Sequence, residues 1–435
     1  MTAKSVSANH LLKHLRALID IGVRLAGTAG EHKATEYVAR QFRKAGATVG
    51  VESFPMLARD VQEECLKIKI RRRWVQFECS LFSSTPGTNG EVREAPLVFF
   101  EAPAECSRPD WSHLRGKAVV HLGCHIESRA AYRKLIEAKP AFLLVVDVRH
   151  PGGVPLADGM FPAYTRTVGA VPTLNVAYLD AWRWSVEGAT AARLKVRGGM
   201  RPGESHNVVA ELPGKGSAGD ILFLAAHHDT QAGTVGANDN ASGVVGLLEL
   251  TRVLAPRRRR RTIRLISFGT EEQLSVGSAA YVRRHRAELA DRAKLMFNMD
   301  GLGSWMGWTE MICNGPRELE EAVLPFFHRR NLYPGMSNNP DPYADHFPFV
   351  AAGVPGITLG RMNCTAGTFF HHRKDDDLSR ISPSQMAHTL DAVGEFIAHL
   401  AAVPELPFPV RIPERDAKPV GVFWNQLFGG WSGAE

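Results

Sequence analysis

An α/β fold is predicted for this chain: a mostly parallel mixed sheet sandwiched by helices, with an inserted smaller β-rich α/β domain. Two observations carry that prediction. From about residue 200, near-continuously apolar runs alternate with segments of helical periodicity; the runs are ILFLAA (221–226), TIRLISF (262–268), KLMFNM (294–299) and GITL (356–359). Strands that are apolar on both sides belong to parallel sheets covered by helices on both faces. Between about residues 60 and 200 the rhythm changes to shorter β-type runs, CLKIKI, PLVFF, KAVVHL, FLLVVDV and PTLNVAYL, punctuated by Gly and Pro. Such a block reads as a compact unit of its own.

The elements follow in order. Leu11, Leu12, Leu15, Leu18 and Ile19 recur at helical spacing, and a second helix places Ala34, Tyr37, Val38, Phe42 and Ala45 on one face, with Gly46 positioned to end it. Within the middle block, SRAAYRKLIEAKPA is a helical stretch between two strands. The segment ASGVVGLLELTRVL supplies a helix between the first two apolar strands. A last helix starts at SPSQMAHTL, where Ser382 is the N-cap, Pro383 suits the first helical position and Gln385 completes a capping box. The tail from residue 403 is Pro-rich and then aromatic, suited to docking on this chain or on a neighbouring subunit. The oligomeric state stays open.

Composition bounds the function. The chain has 435 residues, 44% hydrophobic and 22% charged, enough for two or three soluble domains. The net charge of +7 owes part of its excess to one run, Arg257 to Arg261, which lies between a helical and a strand pattern and reads as a solvated turn. No nucleic-acid module accompanies it, so no nucleic-acid partner is expected. The N-terminal segment is broken by Lys13, His14, Arg16 and Asp20, unlike a signal peptide, and no apolar stretch reaches the ~20 residues that span a bilayer. A cytoplasmic protein without a membrane partner is expected, with a secreted one as the alternative. The six cysteines (Cys65, Cys79, Cys106, Cys124, Cys313, Cys364) are scattered and include no C-x-x-C, which favours reduced thiols.

The polar residues cluster where an α/β sheet binds ligands, beyond the carboxyl ends of its strands. ILFLAA runs into His227-His228-Asp229, TIRLISF leads through Gly269-Thr270 into Glu271-Glu272, and KLMFNM ends at Asp300. Asp239 sits in the tight turn GANDNASG. Two further clusters follow, YADHFPF with Asp345 and His346, and FFHHRKDDDLSRI with His371 and His372. Singly, each has a plain structural explanation: a bonded loop, a helix start, a solvated acidic face. Together they would crowd carboxylates that repel unless cations neutralise them. Mixed histidine and carboxylate donors suit zinc or a similar divalent ion. Two such ions need a shared carboxylate, and Asp239 is suitably held.

The ordered series HHD, GANDNASG, GTEEQLSVGS, NMDG, YADHFPF and HHRKDDDLSRI resembles the M28 family of di-zinc aminopeptidases. RLAGTAGEHKATEYV resembles that family's lead-in, and GKAVVHL, AFLLVVD and VPTLNVAYLDA resemble, more weakly, a protease-associated domain. The resemblance implies a zinc-aminopeptidase-like catalytic domain over 1–58 and 200–402, a protease-associated-like insert over 59–199 and a tail over 403–435. It implies two divalent metals, zinc above all. His227 and Asp300 would complete the first metal and Glu272 and His372 the second, with Asp239 between them. His371 is the alternative to His372. The family's His-x-Asp motif implies His227, two residues before Asp229, as the ligand in preference to His228, and alternation along an extended segment also puts His227 and Asp229 on one face. Asp229 would orient the His227 ring, and Glu271 would be the general base that takes a proton from the attacking water. The expected partner is a peptide, hydrolysed at its N-terminus.

Carboxypeptidases and glutaminyl cyclases share these motifs, and Arg361 and Arg373 could anchor a substrate carboxylate. A departure from the pattern is Phe370-His371 before His372, where many members carry Tyr-His. For Asp345 and His346 two readings stand side by side: site lining, or a helix start capped by Asp345 above buried Phe347 and Phe349. A non-catalytic relative should have lost metal ligands, yet all five positions and that of the base carry suitable residues.

Overall fold

The computed structural model describes residues 5–432 apart from 102–107, 109, 124–125, 127, 149–152, 155–158, 217–218 and 365–366. Its strands in chain order are β1 (Thr48–Ile70), β2 (Arg73–Phe77), β3 (Ser80–Leu81), β4 (Val92–Phe100), β5 (Ala118–Leu122), β6 (Phe142–Val146), β7 (Thr173–Val176), β8 (Ala191–Leu212), β9 (Ile221–His227), β10 (Thr262–Phe268), β11 (Ala293–Met299), β12 (Trp308–Asn314), β13 (Gly335–Ser337) and β14 (Gly356–Met362). The helices are α1 (Ala8–Ile19), α2 (Ala29–Lys44), α3 (Arg129–Glu137), α4 (Pro162–Val168), α5 (Tyr178–Val186), α6 (Gly243–Leu254), α7 (Val276–Arg284), α8 (Arg286–Arg292), α9 (Arg317–His328), α10 (Phe347–Ala351), α11 (Pro383–Ala402) and α12 (Glu414–Leu427).

The strand order is β13-β12-β14-β11-β9-β10-β8, continuing through β4-β5-β6-β7-β3. The pairs β14–β11, β11–β9 and β9–β10 are parallel, while β12 and β8 close the parallel core antiparallel on either side. Along β9, Leu222, Leu224 and Ala226 pack into one core, and Ile221, Phe223 and Ala225 into the core on the opposite face. Burial on both sides explains why these strands read as unbroken apolar runs. The chain leaves β9 for β10 on one side and then crosses to β11 on the other, so a crevice forms at the carboxyl end of β9.

The second lobe centres on the parallel strands β4-β5-β6-β7. It joins the first through β1 and β8, a two-stranded antiparallel ribbon that is continuous across both sheets. The ribbon passes the level of Arg59 and Met200, which pair with each other. Its sequence breaks the apolar pattern there, with Gly198, Gly199, Pro202 and Gly203, so the sequence reads as a linker where the backbone continues as strand.

Three local expectations need correction. Arg257–Arg261 is not simply a solvated turn. Arg261 is buried and donates to the carbonyls of Leu400, Val403 and Pro404 and to Asp220 Oδ2, while Arg259 caps the end of α6 through the carbonyls of Leu254 and Ala255. Ser382 does cap α11, accepting from Gln385 N at 3.3 Å, but its own N–H donates to Gly303 O and not to a reciprocal Gln385 side chain. His346, and not Asp345, occupies the N-cap position of α10, although Phe347 and Phe349 are buried. Cys65, Cys79 and Cys313 form no disulfide, whereas Cys106 and Cys124 lie outside the described residues. Among the described residues, no helix is long and apolar enough to cross a membrane.

The tail docks on its own chain. α12 and the turn after it place Val420, Trp424, Leu427 and Phe428 in one core with Phe161 and Tyr164 of the second lobe and Leu274, Phe347 and Val350 of the first. Trp424 stacks on Phe428 at 5.3 Å and lies under the Arg283 guanidinium. Truncation there leaves a cavity bounded by three parts of the chain, so Trp424→Ala is expected to cost about 3–5 kcal/mol. The check is a fall in the denaturant midpoint.

Candidate active site

The strand ends deliver their polar residues to one point. His227 closes β9, and its Nε2 lies 3.2 Å from Asp239 Oδ1, 3.5 Å from Asp300 Oδ1 and 3.8 Å from Glu271 Oε2. Its Nδ1 faces Asp229 Oδ1 at 3.5 Å. His228 points the other way, as alternation along an extended segment requires. Its Nε2 lies 3.1 Å from Thr35 Oγ1 and its Nδ1 lies 3.0 Å from Ser267 Oγ, with Glu31 Oε1 at 3.5 Å. The second histidine therefore fastens α2 to the sheet.

On the far side of Asp239, His372 Nε2 lies 3.3 Å from Oδ2 and 2.9 Å from Glu272 Oε2. His371 stacks on His372 with ring centroids 3.7 Å apart, and its Nδ1 also reaches Asp239 Oδ2 at 3.3 Å. Two compact donor groups result, His227–Asp239–Asp300 and Asp239–His371–His372, with ligand atoms in each within 4.8 Å of one another. Asp239 belongs to both. The structure brings both histidines to that carboxylate, and His372 also contacts Glu272.

Carboxylates behind these residues hold the backbone in place. Asp229 accepts from the amides of Glu271 (3.1 Å) and Glu272 (3.3 Å), tying the end of β9 to the loop after β10. Asp376 accepts from the amides of Asn238 (2.8 Å) and Asp239 (3.0 Å). The asparagines beside Asp239 complete the lock: Asn240 Nδ2 donates to Met299 O at 2.9 Å, and Asn238 Oδ1 accepts from Gly303 N at 2.7 Å, on either side of Asp300. Gly236 makes this turn possible, since a Cβ there would stand 2.1 Å from Asp239 O. Thr270, Leu274, Ser275 and His372 adopt positive φ, a strain that clusters at sites whose geometry the surroundings impose.

Sequence reasoning missed Arg24 altogether. It is fully buried and donates from Nε to His228 O (2.8 Å), from Nη1 to Val235 O (2.7 Å) and from Nη2 to Gly236 O (3.1 Å). One guanidinium thus braces the loop bearing His227 and Asp229 against the loop bearing Asp239. Burial lowers its pKa to about 10 while Asp229, Asp376, Glu272 and Asp239 support its charge. Its only signal in the sequence is its place in RLAGTAG.

Asp345, which the sequence left between two readings, is buried, and neither carboxylate oxygen accepts a hydrogen bond of good geometry. It stands electrostatically beside Glu271. Burial, reinforced by Asp345, Asp300 and Glu272, holds the Glu271 carboxyl well above the usual carboxylate range despite His227 nearby. Burial and the Asp239 charge push Glu272 up to about 7. His346 is structural, bonded to Asn314 Oδ1 and Thr358 Oγ1, and burial lowers its pKa to about 3. Arg361 donates to Ser304 O, and Arg373 to Asp375.

Residues 207–397, from the end of β8 to α11, match the profile of Peptidase family M28. This part of the chain is similar to an M28 peptidase. The chain is 26% identical over 389 residues to aminopeptidase YwaD of Bacillus subtilis, covering 86% of this chain and 80% of that one. It is 27% identical over 410 residues to carboxypeptidase Q of Rattus norvegicus, covering 91% and 85%. In structure it resembles a zinc aminopeptidase from Bacillus subtilis with a TM-score of 0.74 at 21% identity, over 94% of this chain and 98% of that one. That likeness shows the fold, and it spans both lobes flanking the M28 site.

Proposed function

We propose that this protein is a co-catalytic zinc aminopeptidase that removes N-terminal residues from peptides. The observation that carries the reading is the pair of donor groups sharing Asp239, with Glu271 beside one of them. The donors suit a metal: His227 Nε2 and Glu272 Oε1 are buried without a hydrogen-bond partner of good geometry, amid carboxylates that repel one another. His227 and Asp300 would hold one ion, Glu272 and His372 the other, with Asp239 between. Bound divalent zinc supplies Lewis acidity to water and to the scissile carbonyl.

The protein's own groups do the rest. Glu271 would accept the proton of the attacking water and return it to the leaving amine. Ser275 Oγ, 3.3 Å from Glu271 Oε1, steadies the carboxylate. Asp229 fixes the His227 ring and the Glu271 backbone together, so the base and the ligand keep one geometry. Asp300 and His371, each about a quarter exposed, form the open side by which a substrate enters. Asp300 and Glu271 offer carboxylates to a free α-amine.

The test is hydrolysis of one five-residue peptide in free, N-acetylated and C-amidated forms, with zinc and again with chelator. Release of the N-terminal residue first, abolished by chelator and by acetylation but not by amidation, is expected. Release from the C-terminus would overturn the reading. The two adjacent histidines should separate cleanly. His228→Ala is expected to cost about 1–3 kcal/mol through unsatisfied buried partners while keeping its zinc, whereas His227→Ala loses zinc. Elemental analysis beside a denaturation curve checks both.

A further inference from the structure

A cleft of about 290 Å³ opens between the two lobes. One wall is Arg373, Lys374 and Asp375, the three residues that follow His372; Glu78 and Gly153 of the second lobe build the other. Arg373 is fixed in place. Its Nε donates to Asp375 Oδ1 at 3.0 Å and its Nη1 to Phe369 O at 3.3 Å. A Cβ on Gly153 would stand 3.3 Å from the guanidinium carbon, so the facing wall approaches it closely only because that residue has no side chain. Asp375 is divided, since Arg380 Nη2 also reaches it at 3.3 Å. Lys374 Nζ pairs with Glu78 Oε1 at 3.0 Å, both side chains at least two-thirds exposed. An ion pair of that exposure contributes only about 0–1 kcal/mol, so a better-placed carboxylate displaces Glu78.

The aminopeptidase reading, on which this inference rests, holds the amine end of a substrate at the donor groups. The cleft wall follows His372 directly in the chain, and an extended peptide advances only about 3.3–3.6 Å per residue, so the leaving part of a short substrate would run toward it. Ligand pockets span about 300–1,000 Å³, so this cleft is at the small end and takes one or two residues. We propose that the cleft receives the C-terminal residue of a dipeptide or tripeptide, and that Arg373 and Lys374 bind its free carboxylate. Arginine offers that group a fixed planar fork and lysine a mobile point charge, which exchanges Glu78 for the substrate. The preferred substrates are then short peptides free at both ends, and the second lobe takes part in choosing them.

The experiment compares four substrates of the zinc-loaded full chain: leucyl-glycine, leucyl-glycinamide, leucyl-tetraglycine and its amide. Expected is a kcat/KM at least about tenfold higher for leucyl-glycine than for its amide, the difference lying in KM, as losing a hydrogen bond to a charged group implies. The five-residue pair should differ far less. Arg373→Gln and Lys374→Gln should each shrink the dipeptide free-to-amide ratio, Lys374→Glu should bring it to one or below, and Glu78→Gln should increase it. The ratio is internal to each variant, so a loss of folded protein cancels. Leucine released from all four with no preference for the free carboxylate, or a ratio that the variants leave unchanged, overturns the cleft assignment alone. No leucine from any of the four overturns the aminopeptidase reading and the cleft with it.

Discussion

Glu271→Gln is expected to lower kcat by about 10²–10⁴-fold, the range that a positioned general base contributes, while the protein keeps its zinc. Glutamine preserves the shape and can keep the contact with Ser275 Oγ, but it cannot accept a proton from water. The substitution also removes a carboxyl that burial, reinforced by Asp345, Asp300 and Glu272, holds well above the usual carboxylate range. Stability should therefore hold or rise. Steady-state kinetics, elemental analysis and thermal melting on one preparation check all three. A variant retaining more than a tenth of the wild-type rate would remove Glu271 from the role of base, and loss of zinc would make it a ligand instead.

Arg24→Met should have the largest effect on the folded state. The change removes the donors to the carbonyls of His228, Val235 and Gly236 and a buried positive charge from among Asp229, Asp376, Glu272 and Asp239. Removing one partner from a buried charge network costs about 3–5 kcal/mol, and the unsatisfied carbonyls act in the same direction. Because Arg24 spans the two loops that carry His227 and Asp239, zinc affinity should fall as well. Denaturation of the zinc-free protein reads the first effect; competition with a chromophoric chelator reads the second. Arg24→Lys retains the charge but not the three-way fork, so it should recover stability in part. An Arg24→Met protein with wild-type stability and wild-type zinc affinity would show that the brace is dispensable.

Much of the site was legible because it lies where strands end. The apolar runs 221–226, 262–268 and 294–299 match β9, β10 and β11 to within a residue at either end, and each leads straight into a donor. Periodicity finds such strands because both faces are buried. The same reasoning failed at the β1–β8 ribbon, whose glycines and prolines pair across the lobe junction, and at β12, whose exposed Trp308 and alternating burial carry no continuous apolar signal. It failed at Arg259 and Arg261 too, because a run of like charges does not reveal which side chains turn inward.

The chemistry available was legible in the chain: a parallel α/β core, the order of histidines and carboxylates at its strand ends, and, through the resemblance to the M28 His-x-Asp motif, the preference for His227 over His228 as the candidate ligand. What stands behind those residues could not be read from the chain. That Arg24 reaches across 204 positions to His228 O, that Asp376 holds the amide of Asp239, and that α12 joins both lobes are consequences of chain crossings that local patterning cannot encode. The limit is one of range. Propensity and hydrophobic period act over a few residues, whereas a buried charge or an aromatic anchor finds its partners only after the sheet has brought distant segments together.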